Sequence, residues 1–431
     1  MARKESWTRG KWAAVLAAVL STTFVVVLVL NLAMGDKTVD QDVPSLYSTE
    51  DEQFTRVMSV MLGPALVNGN RATVLVNGDQ IFPVMLEALR SAQKTITFEM
   101  YIYWSGRIGK EFADVLSERA RNGVKVHVLI DGVGAGKIDE SFIEQMQQAG
   151  VELKTYNPPR PWTIGRLNNR THRKIIVVDG RIGFTGGVGV ADQWLGNGED
   201  PEHWRDTHFR VEGPVVAQMQ AAFMDNWTEV TGAVLHGAEY FPALTPSGPQ
   251  RAQMFTSSPG GGSESMQLMY LMSIAAAKSS VDLAAAYFVP DNVDVNTFVA
   301  ALKRGVKVRI ILPGRHMDSG TVRRASRSRW GELLEAGAEI YEYQPTMYHC
   351  KVMVVDVLWT SVGSTNFDNR SFSVNDEANL NVYDRDFSRE QVRIFEEDLK
   401  RARRITLEEW RNRPWTEKLW ENAAALLGSQ L

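Results

Sequence analysis

The chain has 431 residues, 44% hydrophobic and 23% charged, with a net charge of −4 and a single cysteine. Such a composition is globular, is long enough for two core-bearing units, and excludes an internal disulfide framework. The first eleven residues carry +3 (Arg3, Lys4, Arg9 and Lys11 against Glu5), which leaves −7 on the remainder and argues against general nucleic-acid binding.

Residues 13–33 hold no charge and as a helix would extend about 31 Å, the thickness of a bilayer's hydrocarbon core, so a transmembrane anchor is expected over 12–34. A cleaved signal peptide competes, because Ala33-Met34-Gly35 supplies small residues at cleavage spacing, but the apolar run is longer than a usual signal core. Four basic residues precede the run and only Lys37 follows closely, so the N-terminus is expected in the cytoplasm and the body on the other side of the membrane. Residues 35–70 open on a polar, acidic stretch with one proline and read as a tether or lead-in.

From Thr73 onward apolar β-branched runs alternate with amphipathic stretches, the pattern of an α/β protein. The second half replays the first: LKRGVKVRIILPG echoes ARNGVKVHVLIDG, and AGAEIYEYQP echoes AGVELKTYNP. The repeat predicts two similar α/β lobes, 71–245 and 251–431, related by a pseudo-twofold, with the boundary near the turn-rich 246–250.

Each half carries an H-x-K-x4-D segment, His172, Lys174 and Asp179 in the first and His349, Lys351 and Asp356 in the second. The apolar run that follows predicts a strand, whose period of two sets His and Lys on one face. A neutral imidazole can form a covalent phosphoryl intermediate, a protonated one can donate to a departing alcohol, and lysine holds phosphate oxygens as a point charge. Gly186 and Gly363, each fourteen residues after its histidine, are expected to let backbone N–H groups approach an anion. Asp206 and Glu377 stand in matching contexts, D-T-H-F-R-V and E-A-N-L-N-V, and are assigned to orienting the imidazoles, with pairing across lobes open. Asp179 and Asp356 sit where the strand turns, a structural position. Alternation turns Cys350 away from the site as a small buried hydrophobe. His203 and His208 flank Asp206 but read as surface and core histidines. No carboxylate or Cys/His cluster has ligand spacing, so neither metal nor cofactor is implied.

Two basic loops, one with Arg160, Arg166 and Arg170 and one with Arg323, Arg324, Arg327 and Arg329, either collect anionic headgroups or balance an acidic body. Trp162, Trp194 and Trp204 either line an acyl groove or pack. Beyond Phe387 the pattern is helical and ends in a stripe of Trp415, Leu419, Trp420, Leu426 and Leu427. That stripe is expected to pack against the body rather than lie on a bilayer, because interfacial helices are usually more basic on their polar face.

The paired H-x-K-x4-D segments, followed by GG-V-G in one half and GSTN in the other, resemble the HKD motifs of the phospholipase D superfamily. MYIYWSGRIGKEFADVLSERARNGVKVHVLIDGVG, HRKIIVVDGRIGFTGGVGVADQW and GSTNFDNRSFSVNDEANLNVYD narrow the resemblance to bacterial cardiolipin synthases. The resemblance implies a bacterial cell-membrane phosphatidyltransferase that makes cardiolipin from phosphatidylglycerol through a phosphohistidine on His172. His349 would protonate the leaving alcohol and then activate the acceptor. Asn366 stands where the motif has its asparagine, beside Ser364; the first half has Gly189 instead, for which backbone amides near Gly187 are expected to substitute. Hydrolysis to phosphatidic acid and a catalytically dead lipid-binding scaffold are the alternatives.

Overall fold

Apolar, β-branched runs bounded by Gly, Pro and Asp become strands throughout the chain, as their period of two requires. The structure, a computed structural model, describes residues 9–33, 39, 41–159, 169–258 and 263–426. Contacts divide the chain into two units, Met1–Thr38 and Val39–Leu431.

In the first unit Arg9–Ala33 is one helix. Trp12, Leu16, Leu20 and Phe24 on it are exposed, and the side chains of residues 27–33 are outside the description. Among the described residues no helix is long and apolar enough to cross a membrane, so the span expected over 12–34 is not shown. Arg3, Lys4, Met34, Gly35 and Lys37 lie outside the described residues, and with them the expected cleavage segment beyond Ala33.

The second unit is a mixed α/β fold. Its first half supplies β1 (Val67–Val76), β2 (Thr95–Met100), β3 (Lys125–Asp131), β4 (Glu152–Tyr156), β5 (Lys174–Val178), β6 (Ile182–Gly186) and β7 (Thr207–Glu212). The second supplies β8 (Gln250–Ser257), β9 (Ser280–Ala285), β10 (Phe288–Val289), β11 (Lys307–Pro313), β12 (Glu339–Tyr343), β13 (Lys351–Val355), β14 (Trp359–Gly363), β15 (Phe367–Asp368), β16 (Glu377–Tyr383) and β17 (Ala402–Ile405). Fifteen of these strands form one sheet, ordered β17-β12-β11-β9-β13-β14-β16-β8-β1-β7-β6-β5-β2-β3-β4. Read outward from the β1–β8 pair the two sides match strand for strand: β7 or β16, an antiparallel hairpin (β5-β6 or β13-β14), then a parallel triplet (β2-β3-β4 or β9-β11-β12). β17 is the one addition, antiparallel on β12.

Alternation in β5 explains how the sheet packs. Ile176 and Val178 enter a core with Phe98, Phe112 and Leu116, beneath the first-half helices. Ile175 and Val177 enter a second core with Phe209 from their own half and Val362, Ala378 and Leu380 from the other. The sheet therefore folds back on itself at the β1–β8 pair, where the register slips between Val67 and Asn70, and its halves meet face to face.

Part of the polar stretch read as a spacer is folded onto the second half. Glu52–Val60 is a helix capped by Asp51, Phe54 packs edge-on to Trp359 at 5.1 Å, and Thr49 Oγ1 donates to Asp356 at 2.7 Å.

The C-terminal stripe departs from expectation. In the helix Trp415–Ala425 the buried residues are Glu421 and Ala424, whereas Trp415, Leu419, Trp420 and Leu426 are exposed. Glu421 is drawn inward because Arg327 Nε and Arg413 Nε donate to its two oxygens at 2.9 and 2.6 Å, which turns the apolar side outward. Leu427 lies outside the described residues.

Arg205 ties the halves electrostatically: its Nε and Nη2 donate to the two oxygens of Asp398 at 2.9 and 2.8 Å, and Tyr348 donates to the same carboxylate at 3.0 Å. Both members of the ion pair are buried. Removing one partner of such a pair strands a charge in a low-dielectric interior. Arg205→Met is expected to lose about 3–5 kcal/mol of unfolding free energy in urea titrations, whereas Arg385→Met, which breaks the exposed pair with Glu50, stays within about 1 kcal/mol of the parent.

Candidate active site

The site forms where the chain enters β5 and β13. Two isolated bridges join the halves here, Thr171 with Asp376 and Arg205 with Tyr348. His172 N–H donates to Asp376 O at 2.9 Å, and His349 N–H donates to Arg205 O at 2.8 Å. Each histidine backbone is thus tied to the residue preceding the other half's carboxylate. Glu377 and Asp206 land accordingly beside the opposite imidazole.

His172 Nδ1 is 2.9 and 3.0 Å from the oxygens of Glu377, and His349 Nδ1 is 2.7 Å from Asp206 Oδ2. The strand registers make the two carboxylates equivalent: Gly363 faces Asn379 and Gly186 faces His208, so Glu377 and Asp206 both stand two residues before the glycine's partner. An ionised carboxylate accepts only, so each Nδ1 carries the proton and each Nε2 keeps its lone pair. Ser364 Oγ donates to Glu377, while Trp194 Nε1 at 3.0 Å and Thr207 N–H at 2.8 Å donate to Asp206.

Both lysines are buried. Lys174 Nζ donates to His172 O at 2.7 Å and lies 5.3 Å from the Tyr101 ring centroid. Lys351 Nζ donates to His349 O at 2.8 Å and stands 3.2 Å from each ring nitrogen of His349. No protein partner fills Nε2 of His172 among the described residues.

Burial pulls both imidazoles down to about 4, at His172 against the opposing charge of Glu377 and at His349 with help from Lys351. Burial also lowers Lys174, to about 7, and lowers Lys351. It would push the carboxyls of Asp206 and Glu377 up, but the adjoining imidazoles and lysines outweigh it and both end below the usual range. At neutral pH the pocket holds two neutral imidazoles, two carboxylates and two partly destabilised ammonium groups. An entering phosphodiester anion restores the lysines' charge and favours protonation of one imidazole.

The glycines do another job than the one expected. A Cβ on Gly363 would stand 2.3 Å from Ala378 O, one on Gly186 2.7 Å from His208 Cα, and one on Gly187 2.3 Å from Asp206 Oδ1. They admit the neighbouring strand and carboxylate, not an anion. Gly187 N–H donates to Thr207 O, so that amide is already used and does not replace the missing asparagine. Gly189 has no room for a side chain either: a Cβ would lie 2.9 Å from Ile102 Cβ and 3.1 Å from Trp194. Asn366 stays mostly buried with its Oδ1 unpartnered.

Asp179 and Asp356 sit at positive φ at the far ends of β5 and β13. Asp179 accepts from the N–H groups of Gln93, Lys94 and Thr95, and Asp356 from those of Lys278, Ser279 and Ser280. They anchor the starts of β2 and β9 and do not touch the histidines.

Trp194 and Trp204 pack about the second imidazole: their ring centroids each lie 5.3 Å from that of His349 and 4.7 Å from each other. On the other side Tyr101 stands edge-on to His172 at 4.9 Å. Sequence reading missed Tyr101 because it lies in an ordinary strand-like run. It also missed Tyr287, whose hydroxyl donates to Asp318 at 2.8 Å, a carboxylate whose charge reaches His349 and Lys351.

Burial raises the Cys350 thiol to about 12. His203 pairs with Asp200 at 2.8 Å, and His208 is fully buried. Among the described residues no group of three or more His, Cys, Asp or Glu side chains could hold a metal ion. In the second basic segment, now a helix over Gly320–Ser328, Arg323 and Arg327 pair with Glu342, Arg327 also with Glu421, and Arg329 donates to Pro290 O and Asn292; Arg324 is exposed. Arg170 is buried 3.5 Å from Asp131. Arg160, Trp162 and Arg166 lie outside the described residues.

A family model described as "Cardiolipin synthase, PLD-like domain" matches the chain twice, over residues 85–227 and 270–399. The chain belongs to this phospholipase D-like family. A cardiolipin synthase of Geobacillus kaustophilus (strain HTA426) is 37% identical over 365 residues, 84% of this chain and 72% of that protein. Cardiolipin synthase 1 of Bacillus anthracis is 32% identical over 393 residues, 89% and 77% of the two chains. The crystal structure of phosphatidylserine synthase from Haemophilus influenzae Rd KW20 superposes with a TM-score of 0.66 at 13% identity, over 88% of this chain and all of that one, which shows the shared fold. The chain is a phospholipase D-type phosphatidyltransferase, and its general reaction is cardiolipin synthesis from phospholipid substrates.

Holding imidazoles neutral below their usual pKa has a sign. Between about pH 6.5 and 4 the unfolded chain binds protons that the folded His172 and His349 refuse, so stability falls as pH falls through that window. Each histidine contributes on the order of 3 kcal/mol at its lower end. In thermal melts from pH 7 to 4, His172→Asn/His349→Asn is expected to show a shallower fall in Tm than the parent.

Proposed function

We propose that the enzyme moves a phosphatidyl group from one phosphatidylglycerol to the hydroxyl of another through a phosphohistidine at His172. The observation that carries this reading is the pair of imidazoles, each held at Nδ1 by a carboxylate from the opposite half, with no partner on Nε2 of His172 among the described residues. Nε2 of His172 attacks phosphorus as the bond to the glycerol oxygen breaks. His349, protonated once the phosphodiester is bound, gives its proton to that oxygen, and glycerol leaves. His349 then takes the proton from the second lipid's hydroxyl, whose oxygen attacks phosphorus, and the P–N bond breaks to release cardiolipin.

Lys174, Lys351 and Asn366 hold the phosphate oxygens in this scheme, and Glu377 and Asp206 stabilise the imidazolium of their partner. Lys351 favours the assignment of roles: an ammonium 3.2 Å from Nε2 of His349 competes for the lone pair a nucleophile needs. We also take residues 71–245 and 251–431 as two lobes of one repeat, a reading supported by their matching strand order. The uncharged 13–33 stretch is the feature that supports a membrane anchor, with the N-terminus cytoplasmic and the body on the extracytoplasmic side of a bacterial cell membrane.

The test is mass spectrometry of lipids after the purified enzyme meets phosphatidylglycerol vesicles. Cardiolipin and glycerol are expected from the parent, and His172→Ala or His349→Ala should lower the rate on the order of 10³-fold or more. Phosphatidic acid as the main product would make the enzyme a hydrolase. Phosphorus-labelled substrate quenched in mid-turnover should leave alkali-stable label on the His172 peptide; label on His349 would reverse the two roles.

A further inference from the structure

We propose that the outward face of the helix Trp415–Ala425 is a docking surface for an anionic phospholipid bilayer, which it holds against the mouth of the active site. The inference rests on the reading of the substrate as a bilayer lipid. Its first ground is the inverted polarity of this helix. Glu421 is 2% exposed, whereas Trp415, Leu419, Trp420 and Leu426 are 74%, 58%, 62% and 85% exposed. At about 100° per residue Trp415, Leu419 and Leu426 lie within about 40° of one another, and Trp420 lies about 100–140° round the helix from them.

The mounting is rigid. Glu421 binds Arg327 and Arg413, and Ala424 packs with Val289, Val322 and Ala325. The helix cannot roll its apolar face inward without leaving that carboxylate and two guanidinium groups unpaired. Tryptophan and leucine on one exposed face suit the boundary between headgroups and acyl chains, where an indole has both an apolar and a wet side.

The second ground is position. A cavity of about 280 Å³ runs from Ala425 past Val289 and Arg329 to Asn369, three residues beyond Asn366. The neighbouring Gly320–Ser328 helix begins just after Asp318, whose charge reaches His349. Strand β10, whose Val289 packs with Ala424, pairs with β15 directly after Asn366, so the helix is mounted on the element that adjoins the site. On the helix itself Glu417 offsets Lys418, whose Nζ donates to Arg411 O, so the cation that favours an anionic surface is exposed Arg324 on the helix packed against this one.

The native thiol makes a clean experiment possible, because Cys350 is buried and its thiol is held unreactive. Full-length Leu419→Cys and, as a control on a different helix, Glu390→Cys would carry an environment-sensitive fluorophore and be reconstituted with phosphatidylglycerol/phosphatidylcholine vesicles containing acyl-chain nitroxide lipid. The label at 419 should shift to the blue and be quenched at least about threefold more than that at 390. Trp415→Ala/Leu419→Ala/Trp420→Ala should raise the apparent KM for vesicle lipid roughly tenfold while kcat and the KM for a dispersed short-chain phosphatidylglycerol stay unchanged. Equal quenching at the two positions, or a blue shift without vesicles that grows with protein concentration and marks self-association, would overturn the proposal. Insertion needs no turnover, so a chain that inserts yet makes phosphatidic acid would refute the reaction assigned above and not the surface.

Discussion

Everything in this fold that concerns chemistry follows from a crossed constraint: the histidine of each half is oriented by the carboxylate of the other. Neither half can supply an oriented imidazole alone. The requirement explains why the sheet folds back at the β1–β8 pair, since β5 and β16 are distant along the sheet order yet must bring His172 and Glu377 within 2.9 Å. It also explains the two isolated bridges, which fix each histidine's backbone to the residue before the opposite carboxylate. The motif aspartates work at the other end, where three backbone N–H groups each hold the start of a parallel strand against the histidine's own hairpin.

The same constraint sets the electrostatics. Two ammonium groups and two carboxylates are buried together with two imidazoles, a collection that desolvation would penalise heavily if any member lacked its neighbour. The residual imbalance lies with the lysines, whose charge burial opposes and whose only close acceptors among the described residues are their own motif's carbonyls and, for Lys351, an imidazole. A phosphodiester is the missing counter-charge. Binding energy for the anion and activation of the acid–base pair are thus one event, because the charge that relieves the lysines is also the charge that favours an imidazolium.

Much of this was legible in the sequence because the chemistry is local and repeated. The His-x-Lys spacing, the downstream carboxylates and the α/β alternation all appear twice at nearly constant offset, and the structure brings His172, Lys174 and Glu377 together, as it does His349, Lys351 and Asp206. Which carboxylate serves which histidine was not legible, because crossing is a property of how the sheet folds and not of either strand. The glycines were misjudged for a related reason: a missing Cβ marks a close approach, but only coordinates tell whether a ligand or a neighbouring strand approaches. Gly189 could not be explained without Ile102 and Trp194, which come from elsewhere in the chain. The terminal helix was misjudged because an apolar stripe ordinarily faces inward, and the rule fails where a buried Glu421 claims two arginines.

The two halves are symmetric in backbone and unequal around the imidazoles, an inequality that the proposed two-step transfer would use. His349 is enclosed by Trp194 and Trp204, and its carboxylate takes an indole and a backbone donor besides. His172 meets a single Tyr101 edge, and its carboxylate is held by Ser364. A residue that must give up a proton to one alcohol and recover it from another gains from a fixed ring and a nearby cation that keeps it from retaining the proton. A residue that must bond covalently to phosphorus gains from an unobstructed Nε2. The aromatic bracing of His349 and the ammonium beside it make the two sites unequal, although the motifs that carry them are identical in sequence pattern.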